Sequence, residues 1–127
     1  AGHLSSDNVR SMVMDDDGNT YILGHTNGNT MYFGNITLTA PSTGNPFYVA
    51  KLSANNTWEW ATHGGTLGSS SSGQIGDLRM TFNSVGELIV TGEYTLGSSS
   101  WSMYINTTSL PWTHQIFVAA MMNSQSK

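Results

Sequence analysis

The sequence predicts an all-β fold built from two copies of one antiparallel unit. Only 9% of the 127 residues are charged, compared with about 25% in an ordinary soluble domain. Gly, Ser, Thr and Asn are abundant instead, and they suit tight turns better than long helices. Gly18 and Gly24 flank a short apolar segment, and both recur 68 residues later as Gly86 and Gly92. Such an internal repeat takes precedence over local signals in predicting architecture.

Composition also excludes several classes of partner and chemistry. The formal net charge is −4 with only four Lys and Arg, which argues against a nucleic-acid partner. The chain has no cysteine, so it cannot form disulfides, thiolate nucleophiles or sulfur-ligated zinc sites. No run approaches the roughly 20 apolar residues of a membrane helix. We therefore expect no nucleic-acid partner, no membrane insertion and no cofactor.

The first unit begins with two predicted strands and a hairpin. Residues 9–14 form the first strand, residues 15–19 a polar turn, and residues 20–26 the second strand. Its apolar run does not alternate with polar residues, which predicts burial on both faces. Residues 31–38 predict a small hairpin, because Gly34 and Asn35 separate two apolar segments.

The first unit continues with an apolar strand at 47–52 and a polar turn at 53–57. In the next segment Trp58 and Trp60 alternate with Glu59. That period of two predicts an outer strand with one face in water. Residues 64–73 are rich in Gly and Ser and predict a connector.

The pattern then restarts and divides the chain into two units. Residues 78–82, 88–91 and 116–119 repeat the three inner strands, and Trp101 falls on Phe33 at a shift of 68. No counterpart of the Trp58–Trp60 segment follows. We therefore divide the chain into a first unit, residues 1–67, and a second unit, residues 68–127, which lacks the outer strand.

Several motifs of the first unit carry a family resemblance. They are Asp17-Gly18-Asn19-Thr20-Tyr21-Ile22-Leu23-Gly24, Phe33-Gly34, Phe47-Tyr48-Val49-Ala50-Lys51-Leu52, Trp58-Glu59-Trp60-Ala61 and Gly64-Gly65-Thr66. Together they resemble the SBBP-type β-propeller repeat of bacterial and archaeal surface proteins. The second unit keeps the glycines and the Ile-Phe-Val-Ala strand but loses the aspartates. The resemblance implies four-stranded antiparallel propeller-like blades and an extracellular or cell-surface setting. It supplies no catalytic residues.

The resemblance also implies partners, because propellers need roughly 4–8 blades and repeat units need neighbours to bury their faces. We expect self-association, or packing against neighbouring blades of the same protein. The function predicted on this basis is a non-enzymatic structural or adhesion module that assembles through β-sheet packing. An alternative is a lectin-like module, with Trp112 stacking on a sugar ring beside His114. A hydrolase on a propeller scaffold is the third hypothesis, although no nucleophile-elbow motif occurs.

Two further kinds of site are suggested by short motifs. Asp15, Asp17 and Asn19 lie before and after Gly18 and could offer oxygen ligands to calcium, or could simply form a hairpin turn. The glycosylation pattern Asn-x-Thr occurs at Asn35 and Asn106. Asn55 also fits that pattern. The four histidines form no closely spaced pair of metal ligands, and we expect them to face solvent.

Overall fold

The computed structural model describes residues 7–26, 30–40, 46–67, 74–95, 102–105, 108–110 and 115–121. Within these ranges every regular element is a β-strand, and every strand pairing is antiparallel. The all-β antiparallel prediction is therefore confirmed. No helix in the described ranges is long and apolar enough to cross a membrane.

Six strands belong to the first unit and five to the second. They are β1 (Asp7–Met14), β2 (Thr20–Thr26), β3 (Thr30–Phe33), β4 (Ile36–Thr39), β5 (Pro46–Leu52), β6 (Trp58–Leu67), β7 (Gln74–Phe82), β8 (Leu88–Thr95), β9 (Ser102–Ile105), β10 (Thr108–Leu110) and β11 (Gln115–Met121).

These strands form three sheets. The largest has the order β1-β2-β5-β6-β9-β10, so the second unit's hairpin lies alongside the first unit's last strand. The second unit contributes a sheet of order β11-β8-β7, and β3 pairs with β4 in a separate hairpin. Within the described ranges the first unit thus supplies four strands of the largest sheet, and the second unit supplies its other two strands and the three-stranded sheet.

Strand β6 begins at Trp58 as predicted but differs from its prediction in two respects. It continues through Gly64 to Leu67, where a connector was predicted, because this stretch pairs with β9. The alternation of Trp58 and Trp60 was also misleading, since the register with β5 shifts between Lys51 and Leu52. The resulting β-bulge places the two tryptophans on opposite faces, so the strand does not have one apolar face and one face in water.

Two apolar cores lie on opposite faces of the first unit's sheet. The inter-unit core consists of Tyr21, Leu23, Phe47, Val49, Trp60, Leu78, Met80, Leu88 and Val90, so it joins both units. The hairpin core consists of Met31, Phe33, Tyr48 and Ala50, with Trp58 and Ile22 packed against it. Strand β5 is buried at every position from Pro46 to Lys51, as predicted for a strand covered on both faces. In β2, Tyr21 and Leu23 are buried, whereas Ile22 is partly exposed.

The repeat holds at the level of strand register. Met12 pairs with Ile22 in the first unit, and Met80 pairs with Val90 at the equivalent place in the second. Each first strand also has a bulge near the same position. Gly24 lies inside β2, where a side chain would overlap the carbonyl oxygen of Asn8.

Candidate functional site

The turn between β1 and β2 is organised by one carboxylate. Asp15 Oδ1 accepts hydrogen bonds from the backbone amides of Asp17, 3.0 Å away, and Asn19, 2.9 Å away. Its Oδ2 accepts from Asn19 Nδ2 at 2.9 Å and from the Tyr21 hydroxyl at 3.0 Å. Gly18 completes the turn at φ 85°, in the left-handed region that favours glycine. Both oxygens of Asp15 are therefore used to hold the hairpin together.

The equivalent turn in the second unit uses the same frame with the side-chain chemistry reversed. Asn83 Oδ1 accepts from the amides of Val85 at 3.0 Å and Glu87 at 2.9 Å. Asn83 Nδ2 then donates to Glu87 Oε1 at 2.8 Å. The carboxylate is at the first turn position in the first unit, as Asp15, and at the fifth in the second unit, as Glu87. In each turn the other of these two positions carries a side-chain amide.

This arrangement bears on the predicted calcium loop of Asp15, Asp17 and Asn19. The described residues contain no group of three His, Asp or Glu side chains able to share a metal ion. The hydrogen bonds just described give Asp15 and Asn19 a structural use in the turn. Calcium binding by this turn stays a prediction.

An ion pair between a buried lysine and a partly exposed glutamate follows the turn at the same end of the sheet. Lys51 Nζ lies 2.9 Å from Glu59 Oε1, and the side chain of Lys51 is only 6% exposed. The ammonium also lies 5.7 Å from the centroid of the Tyr21 ring. Burial, followed by the hydrogen bond to the Asp15 carboxylate, raises the pKa of Tyr21 well above its ordinary value. Its hydroxyl is thus held as a donor in a network that runs from Asp15 to Glu59.

Aromatic rings connect this network to the second unit. Tyr21 meets Phe82 edge to face with 5.3 Å between centroids, and Trp60 lies 6.2 Å from the same tyrosine ring. Trp60 Nε1 is buried and has no hydrogen-bond acceptor among the described residues. Trp60 therefore packs in the core that joins the two units. Trp58 instead packs on Phe33 of the hairpin, at 5.2 Å.

The other predicted site residues divide into two groups. Trp112, His114, Trp101, Asn106 and His3 lie outside the described residues, so the sugar-binding prediction stays a prediction. Asn35 and Asn55 are exposed in turns, and the Ser53 hydroxyl donates to Asn55 Oδ1. Neither observation tests whether these sequons are modified.

Two histidines do not face solvent as expected. His25 and His63 are both partly buried. Desolvation lowers the pKa of each below 6.5. The charge of Arg10 lowers the pKa of His25 further, and a hydrogen bond with the Pro46 backbone partly opposes this by raising it. Both are therefore harder to protonate than an exposed histidine.

Sequence reasoning missed one surface. Met12 and Met14 in β1 are 64% and 63% exposed, and Val9 in the same strand is 57% exposed. The sequence predicted a strand here but not that these apolar side chains would be exposed. The repeat is the signal for this apolar surface that the sequence offered. Met12 and Met14 correspond to Met80 and Phe82, which also belong to an apolar strand.

The site is thus a packing surface between repeated antiparallel β-sheet units, with a hydrogen-bonded turn and the Lys51–Glu59 ion pair at one end. This architecture defines the chain as an all-β repeat protein. Residues 1–29 match the family model of the SBBP beta-propeller repeat, which confirms over that stretch the resemblance found in the sequence. No curated protein and no solved structure gave a significant match.

Proposed function

We propose that the chain is a non-enzymatic structural or adhesion module of an extracellular or cell-surface protein. Its propeller-like units pack sheet against sheet. The observation that carries this proposal is the inter-unit core, in which Leu88 and Val90 of the second unit are fully buried together with Tyr21 and Leu23 of the first. The repeated side chains thus serve to hold units together.

The polar residues of the described ranges support the same function. Asp15, Asn83 and their partners bind the backbone of their own turns, and Lys51 is neutralised by Glu59 in a mostly buried pair. These groups stabilise a scaffold. The extracellular setting rests on the resemblance to surface-protein repeats and on the match of residues 1–29.

Surface display tests this proposal. Cells of a non-adherent host would display either the wild-type chain or Leu88→Asp, which places a charge in the core and serves as the unfolded control. We expect the folded chain to increase attachment to coated plates relative to the control. In the native cell, protease treatment of intact cells should remove the protein. Full protection from protease, equal attachment of both displayed chains, or turnover in a broad hydrolase screen would contradict the proposal.

A further inference from the structure

The β3–β4 hairpin of the first unit has one buried face and one exposed face. Met31 and Phe33 of β3 are buried in the hairpin core, and Ile36 of β4 packs against them. The residues between them point the other way, because side chains alternate along a strand. Tyr32 is 54% exposed, and it pairs across the hairpin with Thr37, which is also exposed. We call the side that carries Tyr32 and Thr37 the outer face of the hairpin.

The turn of this hairpin presents a glycosylation pattern to the same face. Gly34 and Asn35 connect the two strands, and both are exposed. Gly34 has φ 60°, and a side chain there would come within 3.1 Å of the Trp58 ring, so the turn rests on that tryptophan. Because Ile36 faces the core, Asn35 and Thr37 flank it on the outer side. The amide and the hydroxyl of the pattern are therefore presented to solvent together.

The pattern at Asn55 is built differently, into a closed turn. The Ser53 hydroxyl donates to Asn55 Oδ1 and accepts from the backbone amide of Thr57 at 3.1 Å. The middle residue, Asn56, has φ 66°, in the left-handed region that does not continue a strand. The amide of Asn55 and the hydroxyl of Thr57 are thus not arranged by strand alternation, and the turn engages the Asn55 side chain.

We propose that Asn35 is an N-glycosylation site and that the first sugar of its glycan packs on Tyr32. The donor is a lipid-linked oligosaccharide. Asn35 Nδ2 forms a bond to the anomeric carbon of that sugar and loses one proton. The bond from the same carbon to the lipid phosphate breaks, and its electron pair leaves with the phosphate. This inference rests on the proposed function, because the modification is one of exported proteins.

The reach of the first sugar follows from the hairpin register. Tyr32 lies directly opposite Thr37, so their Cβ atoms are about 4.5–5.5 Å apart. Asn35 precedes Thr37 by two residues, which is roughly 7 Å along the strand. A pyranose ring has an apolar face of C–H groups that can pack on an aromatic ring. The sugar on Asn35 would therefore lie over the exposed Tyr32 ring and cover it from water.

Secretion from a eukaryotic host that transfers N-linked oligosaccharides tests the modification. The wild-type chain and Asn55→Gln would be treated with peptide N-glycosidase in heavy-oxygen water, which converts each glycosylated Asn to a labelled Asp. Peptide mass spectrometry then locates the label. We expect a label at position 35 in both proteins. An unlabelled Asn35 in the secreted wild-type chain, whatever the state of Asn55 and Asn106, would overturn the proposal.

Thermal unfolding tests the packing of the sugar on Tyr32. We expect the glycosylated wild-type chain to have a Tm about 2–4 °C above that of Asn35→Gln from the same host. The gain should disappear when both proteins also carry Tyr32→Ala, and it should persist with Tyr32→Phe, which keeps the ring. Each comparison is made within one background, so any cost of the substitution itself cancels. An equal gain in the Tyr32→Ala background would overturn the packing of the sugar on this ring.

These outcomes are separable from those of the proposed function. The host supplies the secretory route, so the result does not depend on where the native cell places the protein. A chain that promotes attachment but is secreted without a glycan on Asn35 would overturn only the glycosylation inference. A chain that carries this glycan but does not promote attachment would overturn only the proposed function.

Discussion

Trp58 and Trp60 are two residues apart in one strand, yet they pack into different cores. Trp58 contacts Phe33 of the hairpin, and Trp60 contacts Tyr21 of the inter-unit core. Regular alternation would place both on the same side of the sheet. The bulge pairs Trp60 with Lys51 and Trp58 with Leu52, which leaves Glu59 as the additional residue. Strand β6 therefore ties the two cores together.

Glu59 has a second role at the bulge, as the partner of a buried ammonium. Glu59→Gln would leave Lys51, 6% exposed at its side chain, without a carboxylate, whereas Glu59 itself is 34% exposed. Breaking a fully buried pair costs about 3–5 kcal/mol. With discounting for solvent at Glu59, we expect Glu59→Gln to lower the free energy of unfolding by about 1–2 kcal/mol. Urea denaturation measures it.

The control is the double variant Lys51→Met with Glu59→Gln. It removes the buried cation, so it should recover most of the stability lost in the single variant. A double variant that is less stable than Glu59→Gln would show that Lys51 stabilises the strand through contacts other than the ion pair.

The strands and turns could be predicted because their signals are local. The predicted strand at residues 20–26 coincides with β2, and the hairpin was placed on Gly34, which the structure shows at φ 60°. The internal repeat strengthened these assignments, because a turn pattern that occurs twice in one chain is less easily explained by chance. The SBBP resemblance was likewise readable from the motifs of the first unit.

Pairing between distant strands could not be predicted, because it depends on contacts that leave no local pattern. The bulge at Glu59 places Trp58 and Trp60 on opposite faces, although their period of two predicted a single apolar face. A shift of 68 residues placed Trp101 on Phe33, but β9 begins 72 residues after β3, at Ser102 against Thr30. More residues separate β8 from β9 than separate β2 from β3, and apolar strands alone do not reveal this.

Because the two turns exchange carboxylate and amide, a substitution at position 19 should restore stability lost by a substitution at position 15. Asp15→Asn would place an amide against the Asn19 amide, which donates 2.9 Å away. We expect that variant to lose about 1–2 kcal/mol, since the Asn19 amide and the Tyr21 hydroxyl both lose their acceptor. Adding Asn19→Glu recreates the Asn83–Glu87 pair of the second unit. A double-mutant cycle by urea denaturation should give a favourable coupling of at least about 1 kcal/mol.

The matched control is Asn19→Glu alone, which sets two carboxylates against each other and should also be destabilising. Additive losses in the double variant would contradict the equivalence of the two turns.

The same turn predicts a loss of stability in acid. Burial alone would raise the pKa of Asp15, but hydrogen bonds from Asn19, Tyr21 and Asp17 lower it below 3.8. A carboxyl group with a depressed folded pKa stabilises the fold above its unfolded pKa, and that contribution disappears as the pH falls through the folded value. Unfolding free energies measured from pH 5 downward should therefore fall less steeply in Asp15→Asn. Parallel curves for both proteins would contradict this assignment.

The inter-unit core predicts that both units unfold together. Leu88 is fully buried between them, so Leu88→Ala should cost about 2–4 kcal/mol through lost contacts and a cavity. If the core couples the units, native-state hydrogen exchange should show the same loss for amides in β2 of the first unit as for those in β8. Thr37→Ala, at an exposed position of the hairpin, is the control and should change neither. A loss confined to β8 would mean that the second unit opens independently, and that the first unit's sheet is held by its hairpin core alone.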